Sequence, residues 1–296
     1  MIDIGLIVLT VLAILLLLPV VLITLLLLLL TALTPLILAV LLVYVLILVR
    51  PQGKKPTDER LLCPYAHRGL HGDGAPENSL EAFRRACDAG YGIELDVQTT
   101  RDGVVVVFHD YDLSRMTGKD ALLTDLTLAE LKALRLDGTE EIIPTLEEVL
   151  TLVGGRVPLL VELKGETKDT TLCAPVAAIL QGYDGPYCVE SFNPLLVRDM
   201  GRLIPEVYRG LLYTNVFRGK NEHPFVNFLL VTMLTNCMVK PNFIACNKLD
   251  RGSLAVRLTT RLYHAPRFVW TVKTADEWQE AQARGEYPIF EQIRPR

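Results

Sequence analysis

The chain has 296 residues, half of them apolar, and a formal net charge of −4. Lysine and arginine are scattered among the acidic residues rather than gathered into a basic stripe, which argues against a nucleic-acid partner. Six cysteines (Cys63, Cys87, Cys173, Cys188, Cys237, Cys246) form no CxxC pair and no zinc-ligand spacing, so they read as small buried hydrophobes in a reducing compartment.

The apolar excess is concentrated at the start. No charged residue occurs from position 4 to position 49. As one helix this run would rise about 69 Å at about 1.5 Å per residue, whereas a bilayer core is about 30 Å thick. Two helices in a hairpin, broken near Pro19 or within 31–35, fit that length better than a single span. A cleaved signal peptide fits poorly, because Asp3 precedes the run and no positive charge does. Arg50, Lys54 and Lys55 follow it, and the positive-inside rule then places the rest of the chain in the cytoplasm.

Residues 50–60 form a polar linker between this transmembrane segment (1–49) and a domain over 61–296. In that domain strand patterns at 61–66, 92–97, 104–108, 157–163, 187–191, 208–212, 243–246, 268–272 and 288–291 alternate with helical patterns. The helices fall at 79–89, 128–135, 145–152, 171–181, 194–204, 253–263 and 275–284. Such alternation predicts a parallel sheet with helices outside it. Nine strands is one more than an eight-stranded barrel holds. Too few residues separate 97 from 104 for a crossover helix, which needs a dozen or so, so 104–108 should fold back antiparallel on its predecessor. The expected fold is therefore α/β, a TIM-type (β/α)8 barrel, with a small insertion at about 111–156 over its mouth. An open doubly wound sheet is the alternative, but no glycine-rich phosphate loop follows the first strand.

Polar residues cluster at the strand ends. Glu94 and Asp96 are two apart and share one face of their strand, as do Glu162 and Lys164. His67 and Arg68 end the first strand, and His109 ends the hairpin strand. Carboxylates facing a barrel interior are costly unless paired or bound to a cation. Three of them suit one hard divalent ion, Mg²⁺ or Ca²⁺. Two histidines suit proton transfer near neutral pH, and Arg68 and Lys164 suit an anion. Together these describe hydrolysis of a phosphodiester. A purely structural ion network among the same residues is the bland alternative.

AHRG (66–69), PENS (76–79), ELDV (94–97), VVFHD (106–110), VELK (161–164), ESFNP (190–194) and VWTV (269–272) occur in this order. With these motifs the chain resembles the glycerophosphodiester phosphodiesterase family over about residues 61–295. The resemblance implies metal-dependent hydrolysis of a glycerophosphodiester to glycerol 3-phosphate and an alcohol. It implies Glu94, Asp96 and Glu162 as metal ligands and His67 and His109 as the acid–base pair, read as acid and base respectively. Arg68 and Lys164 would hold phosphate, Glu77 would touch metal or substrate, and Phe192 and Trp270 would line the glycerol pocket. Where the family has a glycine-rich stretch and Thr-Asp, this chain has Pro288-Ile289-Phe290-Glu291-Gln292. His71 reads as a loop cap, and His223 and His264 as surface or packing residues.

Residues 223–239 are apolar on nearly every side. They are either a buried helix of the outer ring or an interfacial element that dips into lipid, with Arg218, Lys220 and Lys240 at its ends. The second reading makes the bilayer a partner and a lysolipid a candidate substrate. Alternative functions are phospholipase C- or D-like hydrolysis of membrane lipids at the same site, or a non-catalytic lipid-binding protein.

Overall fold

The structure is a computed structural model and describes residues 4–165, 168–218 and 223–295. The chain divides into two compact units, Met1–Leu48 and Val49–Arg296. The first is one helix, α1 (Ile4–Val43), ending in a π-helical turn at Tyr44–Leu48. The expected hairpin is not formed. Pro19 and Pro35 lie inside the helix, and no polar turn offers the backbone another place for its hydrogen bonds. The hydroxyls of Thr10, Thr24 and Thr34 donate to carbonyls one turn back, at 2.7–2.8 Å, which keeps their polarity internal.

The second unit holds strands β1 (Tyr65–Ala66), β2 (Gly92–Thr99), β3 (Val105–Val107), β4 (Leu159–Leu163), β5 (Tyr187–Ser191), β6 (Tyr208–Tyr213), β7 (Phe243–Asn247), β8 (Arg267–Val272) and β9 (Tyr287–Phe290). Its helices are α2 (Leu80–Ala89), α3 (Ser114–Thr117), α4 (Leu128–Lys132), α5 (Leu146–Val153), α6 (Cys173–Gln181), α7 (Pro194–Leu203), α8 (Pro224–Val231), α9 (Asn236–Val239), α10 (Leu254–Arg257) and α11 (Ala275–Ala283). β1 pairs in parallel with both β2 and β9, which closes eight parallel strands into a barrel. β3 pairs antiparallel with β2 and stands outside that ring, as the short 97–104 connection predicts. The first strand is shorter than expected. Pro64 has no N–H for a ladder, and Glu59–Leu61 winds into a 3-10 turn.

Alternation along each strand separates two cores. Ile93, Leu95, Val97, Val161 and Val189 belong to the outer layer beneath the helices. Tyr65, Leu160, Tyr208, Phe243 and Phe268 fill the lower interior. There Phe243 and Phe268 have ring centroids 4.5 Å apart, and Tyr208 stacks on Phe243 at 5.3 Å. This aromatic floor is a packed core and not a pore. It depends on Gly210, where a Cβ would come within 2.0 Å of the Phe243 ring. Gly210→Ala should therefore cost about 1–3 kcal/mol of stability by overpacking, read as a lower midpoint in thermal unfolding of the detergent-solubilised chain.

Beyond β3, α3 and α4 enclose a small core of their own with Leu113, Leu123, Leu131, Leu136 and Ile143. α5 instead packs Leu146, Val149 and Val153 into the outer barrel core, so it serves as the crossover helix into β4 and the separate lobe ends before it, short of 156. The 50–60 segment is fixed at its start: Gln52 N donates to Pro241 O at 2.7 Å. α8 has no buried residue, while Met233, Asn236 and Val239 further along 223–239 are buried, so the outer-ring reading holds for the second half of that stretch and fails for α8. Lys220, one of the basic residues expected to flank it, lies outside the described residues.

Candidate active site

Register places the acidic groups. Asp96 on β2 pairs with Glu162 on β4, Glu162 with Glu190 on β5, and Glu190 with Gly210 on β6. One row of the barrel interior, directly above the aromatic floor, thus carries three carboxylates, with Glu94 one step below. All four are buried. One oxygen each from Glu94, Asp96 and Glu162 falls within 4.8 Å of the others.

The charges in this row are unevenly held. Lys164 Nζ donates to Glu162 Oε1 at 2.9 Å and lies 3.1 Å from Asp96 Oδ1. Burial opposes charge on Asp96, but Lys164, His109 and Arg68 overcome it and hold its carboxyl below the ordinary range. Burial pushes Glu162 up to about 7 against the pull of Lys164. Glu94 and Glu190 are raised well above the carboxylate range, first by burial and then by the like charges beside them. Glu190 Oε2 is buried with no hydrogen-bond partner among the described residues. Among those residues Arg68 and Lys164 face four acids, which leaves a deficit of positive charge, and the acidic donors are all oxygen. The residues present therefore fit a hard divalent cation.

Arg68 and Asn78 sit in the left-handed backbone region, at φ 54° and 57°. Such conformations in non-glycine residues persist only where their surroundings enforce them. Here Arg68 N donates to Glu94 Oε2 at 2.7 Å, and Asn78 Nδ2 donates to Asp96 Oδ2 at 2.9 Å. The next residue, Ser79, caps α2 by accepting from Ala82 N. The PENS loop thus orients a carboxylate and starts a helix in consecutive residues.

Each histidine is held through Nδ1 by a carboxylate. His67 Nδ1 lies 2.6 Å from Glu291 Oε2, and His109 Nδ1 lies 2.6 Å from Asp110 Oδ1. With Nδ1 donating, each neutral ring keeps Nε2 as the acceptor. Burial lowers the pKa of both imidazoles, while Glu291 and Asp96 respectively pull the other way. Asp110 is steadied by Arg115 Nε at 2.6 Å, and Gln98 Nε2 donates to the carbonyls of Phe108 and Asp110 at 2.9 and 2.8 Å. Glu77 lies between two guanidinium groups, Arg68 Nη1 at 2.8 Å and Arg115 Nη2 at 2.5 Å.

A cavity of ≈ 110 Å³ is lined by His67, Arg68, Glu94, His109, Glu162, Lys164, Phe192 and Trp270, among others. Asp96 and Glu77 contact its walls through Lys164 and Arg68. The rings of Phe192 and Trp270 meet edge to face at 5.5 Å. All ten residues singled out in the sequence thus converge on one region. Three that matter to its geometry were not singled out. Glu190 lies in the ESFNP motif one strand further round. Asp110 follows His109 directly. Glu291 stands in the C-terminal stretch that departs from the family pattern.

Glu291 gives a pH-dependent expectation. Burial would raise its carboxyl, but His67 at 2.6 Å, the His71 ring 3.8 Å away and Lys273 overcome this and hold it well below the ordinary range. Lys273 Nζ lies 2.6 Å away. A depressed folded pKa stabilises the fold above the unfolded value, roughly pH 4, and that contribution disappears as pH falls through the folded value. Glu291→Gln should thus cost about 1–3 kcal/mol at pH 7. The two melting midpoints should converge as the pH is taken below about 4. A difference independent of pH would contradict the assignment.

Residues 67–290 match the family model for the glycerophosphoryl diester phosphodiesterase family. A curated relative, the glycerophosphodiester phosphodiesterase of Caldanaerobacter subterraneus subsp. tengcongensis, is 37% identical over 164 residues. That alignment covers 50% of this chain and 65% of the relative, just under two thirds of its length. A phosphodiesterase from Oleispira antarctica, solved in complex with the product sn-glycerol-3-phosphate, superposes with a TM-score of 0.63 at 26% identity, covering 77% of this chain and 92% of that one. The glycerophosphodiester phosphodiesterase of Thermotoga maritima superposes with a TM-score of 0.61 at 26% identity, covering 77% and 94%. A closed parallel barrel, a buried acidic row flanked by two carboxylate-bound imidazoles, and a family match across nearly the whole barrel agree with one another, and the chain belongs to the glycerophosphoryl diester phosphodiesterase family.

Proposed function

We propose that this chain hydrolyses glycerophosphodiesters to glycerol 3-phosphate and an alcohol. The observation that carries the reading is the convergence of two carboxylate-oriented histidines and three buried acids on one small cavity. Glu94, Asp96 and Glu162 would hold a divalent cation, Mg²⁺ or Ca²⁺. When bound, it would offset the charge of the phosphate. Arg68 and Lys164 bind the phosphate oxygens, and Glu77 fixes the Arg68 guanidinium. Phe192 and Trp270 pack against the glycerol. His109 takes a proton from the attacking hydroxyl, either water or the substrate's own glycerol hydroxyl. His67, when protonated at Nε2 with Nδ1 held by Glu291, gives that proton to the leaving alcohol as the P–O bond breaks.

α1 is long and apolar enough to cross a bilayer, carries no charge, and its apolar stretch is unburied. We read it as a membrane anchor with the barrel on the cytoplasmic side, on the strength of Arg50, Lys54 and Lys55 after it. The test of the activity is an assay of the purified full chain on glycerophosphocholine and glycerophosphoglycerol, with product identification. Release of glycerol 3-phosphate that stops with a chelator and returns with Mg²⁺ or Ca²⁺ is the expected result. Turnover untouched by chelation would remove the metal from the scheme, and no turnover on any diester would leave a binding protein.

A further inference from the structure

From His223 to Val239 the chain has no Asp, Glu, Lys or Arg. α8, the helix in this stretch, buries none of its residues: Phe225 is 72% exposed, and Val226 and Phe228 are 49% exposed. A helix on a soluble surface turns an apolar stripe inward and a polar face outward. α8 has no polar face to turn to water. It follows β6 in the parallel barrel, so it stands at the end where the catalytic groups lie.

Neighbouring loops extend the same surface. Phe217 after β6 is 43% exposed, and Leu249 after β7 is 72% exposed. The two loops are joined at Asp250, whose Oδ2 accepts from Asn215 N at 2.9 Å and Thr214 Oγ1 at 3.2 Å. Phe192, after β5, is 39% exposed and also lines the cavity, so apolar side chains follow β5, β6 and β7 in turn. The β1–β3 side of the mouth is ionic, with Arg68, Glu77, Asp110 and Arg115. Exposed apolar side chains thus gather on the β5–β7 side, where Lys248, paired with Glu277, stands beside Leu249.

We propose that this β5–β7 side of the rim docks into the lipid bilayer and presents membrane-borne phosphodiesters, such as lysophospholipids, to the site. The proposal rests on the reading of α1 as a membrane anchor and of the barrel as a phosphodiesterase. The chain itself favours a bilayer over other occupants. Val49, the first residue of the catalytic unit, is fully buried, and its carbonyl accepts from Asn236 Nδ2 at 2.9 Å. Asn236 and Pro241, the partner of Gln52, both lie in the β6–β7 connection that carries α8. The first residues of the catalytic unit are thus packed against the connection that carries α8 rather than left as a free tether. The exposed aromatic and aliphatic side chains of α8, in the same connection as Asn236, match the chemistry of the headgroup–acyl boundary. The reaction is the same hydrolysis: the oxygen of water joins phosphorus, and the leaving alcohol takes the proton.

The test uses the full chain in vesicles of phosphatidylcholine and phosphatidylglycerol, with and without brominated acyl chains. A Phe228→Trp variant should show tryptophan quenching by brominated lipid beyond that of the wild type, which has Trp270 and Trp278. A Phe225→Ser/Phe228→Ser variant should lose about ten-fold in turnover of lysophosphatidylcholine in vesicles. It should keep its activity on soluble glycerophosphocholine within about two-fold. No added quenching in protein that resists alkaline carbonate overturns the docking and leaves the anchor standing. Release by carbonate overturns the anchor, and the docking with it. A blue shift of the F228W emission that grows with protein density and ignores bromine means a second copy covers α8, which also overturns the proposal. Equal losses on both substrates, or none on either, do the same.

Discussion

His109→Ala is expected to lower kcat on glycerophosphodiesters by about 10²- to 10⁴-fold, the usual worth of a positioned proton-transfer group. Its side chain is 30% exposed, so truncation removes little packing and the melting midpoint should hardly move. Metal affinity should also survive, because the three acids keep their places on β2 and β4. His67→Ala should be as damaging on a natural substrate, whose alkoxide leaves badly without a proton. On a p-nitrophenyl diester the two should part. A nitrophenolate leaves without protonation, so a variant lacking only the acid recovers most of its rate while one lacking the base does not. Recovery by His109→Ala and not by His67→Ala would reverse the assignment of acid and base. Recovery by neither would mean that both rings act before the P–O bond breaks.

Glu94→Gln should have opposite effects on the empty and the metal-loaded protein. Without metal, Glu94 faces burial and the charges of Asp96 and Glu162, which hold its carboxyl well above the usual range. A neutral amide relieves that repulsion, so the metal-free variant should melt no lower than the metal-free wild type. With metal the order reverses. A ligand present at about 100 times its Kd stabilises the native state by about 2.7 kcal/mol. The wild type should gain this on addition of Mg²⁺ or Ca²⁺, and the variant should gain little of it and lose its metal-dependent turnover. A melting scan with and without the ion reads both halves. An undiminished metal-induced shift in Glu94→Gln would show that the acids bind no cation together.

Much of the site is legible in the sequence because it depends on local geometry. Period-two alternation puts Glu94 beside Asp96 and Glu162 beside Lys164 whatever the barrel's radius. The short 97–104 connection cannot hold a crossover helix, so the antiparallel β3 follows from chain length alone. The charge-free N-terminal run is equally a property of composition. What stays hidden depends on groups that meet across large sequence distances. Glu291 reaches His67 only because β9 closes the barrel against β1, and neither strand's pattern specifies the other as its neighbour. Glu190 joins the acidic row through the β4–β5 register, which is set by how two strands align and not by either sequence. Arg115 meets Glu77 because a lobe with its own core folds back over the mouth.

The apolar stretch at 223–239 shows the same division. Its sequence required that it avoid water and allowed either a protein or a lipid neighbour. Hydrophobicity states how strongly a surface avoids water but not what covers it, and only the fold leaves α8 with none of its residues buried.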